Sequence, residues 1–357
     1  MVDEIAVRPP ASPVLLAGRN VDPVHGALEA AGVQVVRWRR WAEPPASALA
    51  EAGSGPGGET LPAPWPPDGP FASALLRLPR AKDELEMEAH ALFARLSPGA
   101  PLYLFGARDE GVVSAPRRLE PLLGSDGSVS SLAVKARSRV IELRRGPQAP
   151  PLRGALEEWT RTSTMVLDGR PRPWVSFPGL FAGGSLDPGT ALLLDALPTI
   201  RSGSRVLDFG CGTGVIARTV MDRAAEDYPD GQLDVDLLDA DALALEAARR
   251  NGPGAGDLLT GWGLAAARGP YDWILTNPPF HEGKAETMRV LEDVAADAPG
   301  HLTRRGGLVL VTQRRLPVGR LLEVRFRRVD VLSETSVFRV WSASACHPVR
   351  RKGSSSP

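Results

Sequence analysis

Lysine is nearly absent from this chain. Only Lys82, Lys135, Lys284 and Lys352 occur among 357 residues. Arginine supplies the rest of the 42 basic residues, and 42 acidic residues cancel them. A formal charge of zero removes any global argument for a polyanionic partner, so a nucleic-acid surface has to be local. The arginine bias accompanies many Ala, Gly and Pro residues and reads as coding composition rather than function. Cysteine is almost as scarce. Cys211 and Cys346 make no disulfide framework and no zinc spacing, which fits a reducing compartment and no metal site. Long apolar runs are missing too. No stretch approaches the roughly 18 residues of a membrane span, and MVDEIAVRPP has no apolar signal core. A soluble, cytoplasmic protein without membrane contact is expected.

Enough length remains for two domains with full cores. Residues 13–17 and 33–38 read as short buried strands around a helix near 23–31. Residues 43–70 are rich in Pro and Gly and read as a loop. Phe71–Leu78 and Leu102–Phe105 are strand candidates. Lys82–Leu96 places Leu85, Ala89, Leu92, Phe93 and Leu96 on one helical face, and Gly111–Leu123 begins a further helix. This half alternates strands with helices but holds no glycine fingerprint. A junction falls around 145–162. The Asp168-Gly169 turn joins Met165–Leu167 to Trp174–Phe177 as a hairpin. Strands then follow at 205–208, 233–239, 271–276 and 308–312, with helices at 190–197, 215–225 and 242–250 between them. Residues 329–334 and 337–342 form a closing antiparallel pair. The expectation is an α/β chain with a first domain over 1–155, a Rossmann-like second domain over 156–345 and a disordered basic tail over 346–357.

The second half carries the chemistry. In VLDFGCGTG an acid, Asp208, ends a strand, and Gly210, Gly212 and Gly214 lead into a helix. Such glycines allow a tight turn and close approach of backbone to ligand. An acid at this point would repel a pyrophosphate but suits a cationic amino-acid group, which favours S-adenosylmethionine over a dinucleotide. Asp239 ends the next strand, where a carboxylate can accept both ribose hydroxyls. Asp241 is better placed to cap the following helix.

Asn277-Pro278-Pro279-Phe280 closes the strand at 271–276. The Asn277 side-chain carbonyl and the Pro278 backbone carbonyl can hold the two hydrogens of an exocyclic amine. Prolines pin the turn so that the amine's lone pair can face a methyl donor, and Phe280 can stack on a flat base or amide. No general base is required, because the proton can leave after transfer; positioning carries the catalysis. His281 reads as a polar residue at the loop exit or a substrate contact.

At these residues the chain resembles a family. The runs FPGLFAGGSLDPGTALLLDAL (177–197), VLDFGCGTG and ILTNPPFHEG (274–283) are similar to the small methyltransferase domain of the ribosomal RNA guanine-N2 methyltransferases, the small-subunit enzymes above all. LLRLPRAKDELEMEAHALFARLSPGAPLYLFGARDEGVVSA (75–115) extends the resemblance into the first half. The resemblance implies that the first domain is a degenerate methyltransferase copy that has lost its cofactor. It implies that Phe181, Asp187 and Thr190 edge the cofactor pocket. Asp208, Gly210, Gly212 and Gly214 would take the methionine part, Asp239 the ribose, and Asn277, Pro278 and Phe280 the guanine. Where members of the family often place an Asp or Asn for the adenine amine, this chain has Trp262, which can stack but not accept; Asp257 is the alternative.

Eight arginines between Arg304 and Arg328 face one acid, Glu323, and make a candidate RNA-facing surface. Arg37, Arg39 and Arg40, near Trp38 and Trp41, form a smaller cluster. The implied partner is ribosomal RNA or an immature subunit, approached by a monomer. Two other readings stand beside this one. A protein-glutamine N5 methyltransferase would use the same turn on an amide but calls for a small helical N-terminal domain. A non-catalytic RNA-binding assembly factor would keep the fold without turnover.

Overall fold

The computed structural model describes residues 10–43, 61–135, 137–252, 256–278 and 284–347. They fall into two compact units. One comprises the described residues up to Thr162 together with Val175–Gly184 and Asp241–Leu243. The other comprises Ser163–Trp174, Ser185–Ala240 and the described residues from Ala244 onward. Among the described residues no helix is long and apolar enough to cross a membrane.

The first unit is built on six strands: β1 (Val14–Ala17), β2 (Val35–Trp38), β3 (Ser73–Arg77), β4 (Leu102–Ala107), β5 (Ser128–Lys135) and β6 (Ser138–Arg144). Their order is β2-β1-β3-β4-β6-β5. The helices α1 (Asp22–Ala30), α2 (Lys82–Phe93) and α3 (Pro116–Leu123) complete it. β1 is buried along its whole length, as a parallel strand covered on both faces must be. Val14, Leu16 and Leu75 pack towards α1 with Val24 and Leu28. Leu15, Ala17 and Leu76 pack with Leu85, Leu92 and Leu119 of α2 and α3. Each aliphatic side chain so enclosed contributes about 1.5–3 kcal/mol.

Next in the chain comes the hairpin of β7 (Arg161–Leu167) and β8 (Arg170–Ser176). Its turn is the expected Asp168-Gly169, both at positive φ (48° and 74°), the geometry of the turn that matches strand twist. The second unit's sheet holds β9 (Arg205–Phe209), β10 (Asp234–Asp239), β11 (Leu258–Thr260), β12 (Tyr271–Thr276), β13 (Leu302–Gln313), β14 (Phe326–Glu334) and β15 (Phe338–Cys346). Helices α4 (Pro188–Ala196), α5 (Val215–Asp227), α6 (Ala242–Asn251), α7 (Lys284–His301) and α8 (Val318–Glu323) connect them. The order is β11-β10-β9-β12-β13-β15-β14. Strand order reverses between β9 and β12, the switch point where open α/β sheets bind ligands at the carboxyl ends of their strands. Leu193, Ile216, Val220 and Leu245 cover one face. Leu291, Val294, Ala298 and Leu322 cover the other.

The two sheets have matching topology. β2-β1-β3-β4-β6-β5 and β10-β9-β12-β13-β15-β14 share their order and every strand direction, three parallel pairings followed by two antiparallel ones. Among the described residues only β11 lacks a counterpart. Ala17 lies beside Trp38 and Leu76, as Phe209 lies beside Leu238 and Thr276. On that register Leu16 stands where the second sheet has Asp208, Arg39 where it has Asp239, and Arg77 where it has Asn277. Where the second sheet has two carboxylates, the first thus has an apolar and a basic side chain. At those places a cationic ligand would meet one apolar and two basic side chains, and the nearby Glu43 and Glu110 are already engaged by Arg39 and Arg77.

Candidate active site

β9 runs directly into the glycine loop and then α5. Gly210 and Gly212 take φ of +66° and +54°, and a Cβ added at either would meet nothing within 4 Å. The loop is left-handed and open on its outer side, a cradle that a side chain would fill. Gly214 serves packing instead, since its Cβ would lie 3.1 Å from that of Ala248 on α6. Side chains brace the loop from behind. Asp239 Oδ2 accepts the Gly212 N–H at 2.8 Å. Trp174 Nε1 donates to Thr213 Oγ1 at 3.1 Å, and Asn251 Nδ2 donates to the Thr213 carbonyl at 3.0 Å. Trp174 and Asn251 carry no signal in the sequence. Their role follows from where the hairpin and α6 come to rest.

Asp208 is fully buried. Its Oδ2 accepts the Ala217 N–H, 2.9 Å away in the first turn of α5, while Oδ1 has no hydrogen-bond partner among the described residues. Burial pushes its pKa up to about 7; the Ala217 N–H opposes the rise and the Asp239 charge adds to it. In this conformation the carboxyl has no open face, unlike the direct ligand contact expected of it. Its charge reaches the cradle from beneath the loop. A buried carboxyl with one unpartnered oxygen and no paired cation among the described residues fits a site for a positively charged ligand.

Asn277 follows the last residue of β12. Its Nδ2 donates to Asp187 Oδ2 at 3.0 Å and to Thr190 Oγ1 at 2.8 Å. Asp187 is the N-cap of α4 and also accepts the Thr190 N–H at 2.9 Å. A carboxylate only accepts, so the amide orientation is fixed by chemistry. Both amide hydrogens are therefore committed. Oδ1 is buried and has no partner among the described residues, so it is an acceptor awaiting a donor. Asp187 and Thr190, expected at the edge of a cofactor pocket, turn their side chains to Asn277. Pro278 is buried beside it. Phe280 and His281 lie outside the described residues.

The remaining expected residues scatter. Trp262 is half-buried two positions beyond the carboxyl end of β11. Asp257 cannot replace it. It precedes β11 at the opposite edge of the sheet, and its carboxylate is paired with Arg268 at 2.8 Å. Phe181 belongs to the first unit, in a short 3-10 turn, and is 45% exposed. The small basic cluster is not a free surface. Arg37 pairs with Asp22 and Glu43 at 2.7 Å each, and Arg39 meets Glu43 at 3.4 Å. Arg40 is buried, held by both oxygens of Asp241 (2.8 and 2.6 Å), by Glu84 at 2.8 Å and by Glu88 at 3.3 Å. Asp241 also caps α6 by accepting the Leu243 N–H at 2.9 Å, the role its position suggests.

Known proteins share this fold and, in part, this sequence. Residues 173–342 match the Methyltransferase small domain, and residues 10–128 match the Methyltransferase small domain N-terminal. The solved Thermus thermophilus 16S rRNA N2 G1207 methyltransferase, in complex with AdoMet and guanosine, shares the fold over 96% of this chain and 91% of its own, with a TM-score of 0.77 and 24% identity. The Ribosomal RNA small subunit methyltransferase C of Stutzerimonas stutzeri (strain A1501) is 34% identical over 336 residues, covering 92% of this chain and 94% of that protein. The protein of the same name from Pseudomonas putida (strain GB-1) is 34% identical over 336 residues, 93% and 94% of the two chains. A relationship of that identity running nearly end to end, through both sheets, places this chain in the ribosomal RNA small subunit methyltransferase C family.

Proposed function

We infer that the protein transfers a methyl group from S-adenosylmethionine to the exocyclic N2 amine of a guanine in small-subunit ribosomal RNA, acting in the cytoplasm. The observation that carries this reading is the unpartnered Asn277 Oδ1, set by Asp187 and Thr190 at the same edge of the sheet as the glycine cradle. Gly210 and Gly212 would hold the methionine part, with Gly214 seating the loop on α6, Asp208 would supply the counter-charge, and Asp239 would take the ribose. S-adenosylmethionine brings an electrophilic methyl group on a sulfonium centre. Everything else is positioning. Asn277 Oδ1 would accept one amine hydrogen and the Pro278 carbonyl the other, leaving the nitrogen lone pair directed out of the base plane. Phe280 would stack on the guanine. The proton departs from the nitrogen once it has become tetrahedral, so no base has to be poised in advance. Holding two reacting atoms in line can supply about 7–11 kcal/mol of the barrier.

The glutamine-methylating alternative calls for a small helical N-terminal domain, and the first unit is a six-stranded α/β sheet. The test is mass spectrometry of ribosomal RNA nucleosides from a deletion strain. One N2-methylguanosine should disappear and return with the intact gene. An unchanged nucleoside profile would overturn the assignment.

A further inference from the structure

The eight arginines between Arg304 and Arg328 look like one patch in the sequence, but the fold sets six of them at two separate edges. Gly307 pairs with Ser344, and Ser344 pairs with Arg328, so that level of the sheet is its amino edge for β13. Arg304 and Arg305 precede Gly307, and Arg325 and Arg327 sit beside the start of β14; all four are exposed. Arg314 and Arg315 follow Gln313 at the other end. Gln313 is six residues beyond Gly307, about 20 Å along a strand. It pairs with Phe338. The Phe338 ring would lie 3.2 Å from a Cβ added at Gly189. Gly189 stands between Asp187 and Thr190, the two residues that hold Asn277. Arg314 and Arg315 therefore share the acceptor edge with Asn277, and the other four do not.

The local charges agree. Arg315 is exposed, and its Nε donates at 3.0 Å to Gln313, an amide that neutralises nothing. Arg314 lies 3.6 Å from Glu334, which Arg339 already engages at 2.7 Å. One carboxylate is shared by two arginines and a third is unopposed. By charge density alone the amino edge would be the better polyanion surface, since Arg304, Arg305, Arg325 and Arg327 have no ion pair among the described residues. Reach decides against it. Stacked nucleotides advance about 3.4 Å each, so about 20 Å spans some six of them. Phosphates flanking a base held by Asn277 fall on the acceptor edge.

We propose that Arg314 and Arg315 bind the RNA phosphates that flank the target guanine, and that the arginines of the amino edge do not. This rests on the methyl-transfer reading above. The experiment uses the full chain, with the shortest 16S ribosomal RNA fragment that it methylates, and compares two double variants. Arg314→Gln with Arg315→Gln should raise KM for the fragment by about tenfold or more, and the slope of log KM against log salt should drop by about 1.4, or 0.7 for each single-strand phosphate that the protein ceases to neutralise. Turnover at saturating RNA and affinity for S-adenosylmethionine should stay within about twofold of the parent, because exposed substitutions leave the fold nearly untouched. Lysine at both positions should recover most of the KM. Arg304→Gln with Arg305→Gln should leave KM within about twofold of the parent. An unchanged KM in the first variant, or an equal rise in the second, overturns the proposal while leaving the reaction intact. An intact protein that methylates no ribosomal RNA fragment overturns the reaction itself, and the proposal with it.

Discussion

Asn277 donates its amide N–H to Asp187 Oδ2 across 3.0 Å, tying the end of β12 to the first turn of α4. The same carboxylate caps that helix. One side chain thus fixes both a backbone terminus and the rotamer of the proposed amine acceptor. Asn277→Ala should lower turnover by at least about a hundredfold, the effect of deleting one preorganised hydrogen-bonding group from a dry site. Cofactor affinity should hardly move. Tritiated-methyl transfer to ribosomal RNA, beside calorimetry with S-adenosylmethionine, separates the two. Near-normal turnover in a stable variant would rule out the role.

Asp187→Ala should have a compound effect. Loss of the N-cap costs about 1 kcal/mol of stability. Turnover should also fall, by less than in Asn277→Ala, because Thr190 still holds the amide. Melting curves and initial rates measure the two parts. A variant with the parent's rate would show that the carboxylate does not position Asn277.

Asp208 makes stability depend on pH. Its folded pKa is about 7, against an ordinary value of 3.8. Between those values the folded chain holds a proton that the unfolded chain has released. Stability therefore falls as pH rises from about 4 to about 7, at about 1.4 kcal/mol per pH unit for one group. Asp208→Asn should be more stable than the parent at pH 8 and close to it near pH 4, as urea unfolding would reveal. The parent's affinity for cationic S-adenosylmethionine should rise with pH up to about 7 and then level off. An affinity flat from pH 5 to pH 8 would mean that this charge does not act on the ligand.

Gly212→Ala tests the cradle without large strain. The added methyl enters open space, so the fold should lose only about 1 kcal/mol for a left-handed alanine. The ligand would meet that methyl, and affinity for S-adenosylmethionine should fall by at least about tenfold. The intact chain should bind one cofactor per molecule, since Leu16, Arg39 and Arg77 occupy the matching places in the first sheet. Two sites by calorimetry would contradict that reading.

Arg40 is the buried cation set against Asp241, Glu84 and Glu88. Arg40→Ala should cost roughly 3–5 kcal/mol, because it strands buried carboxylates. Burial and then the Glu84 charge push the Glu88 pKa up to about 8, so its cost grows as pH rises from about 4.5 towards 8. Glu88→Gln should be nearly neutral near pH 4.5, already stabilising at pH 6 and most stabilising at pH 9. Urea titrations at the three values decide it; destabilisation at pH 9 would show that Glu88 is held as a needed anion.

What the sequence determined by itself is local. VLDFGCGTG is legible because a strand of buried aliphatics, an acid and glycines able to take positive φ are all written within nine consecutive residues. The Asp168-Gly169 turn and the α/β alternation are legible for the same reason. β5, β6, β11, α7 and α8 were not. β5 leaves Val129, Leu132 and Val134 exposed, so it has little burial to impose a period, and β11 is only three residues long. Tertiary structure alone decided the rest. Asn277 looks like a turn residue until α4 arrives with Asp187 and Thr190. Trp174 and Asn251 brace a loop to which nothing in their spacing connects them. One run of arginines became two edges of a sheet, because a strand carries its ends apart while the sequence keeps them adjacent. The matching topology of the two sheets is likewise a matter of strand order and register. The backbone ladder sets these, and the side chains at the carboxyl ends of the two sheets differ.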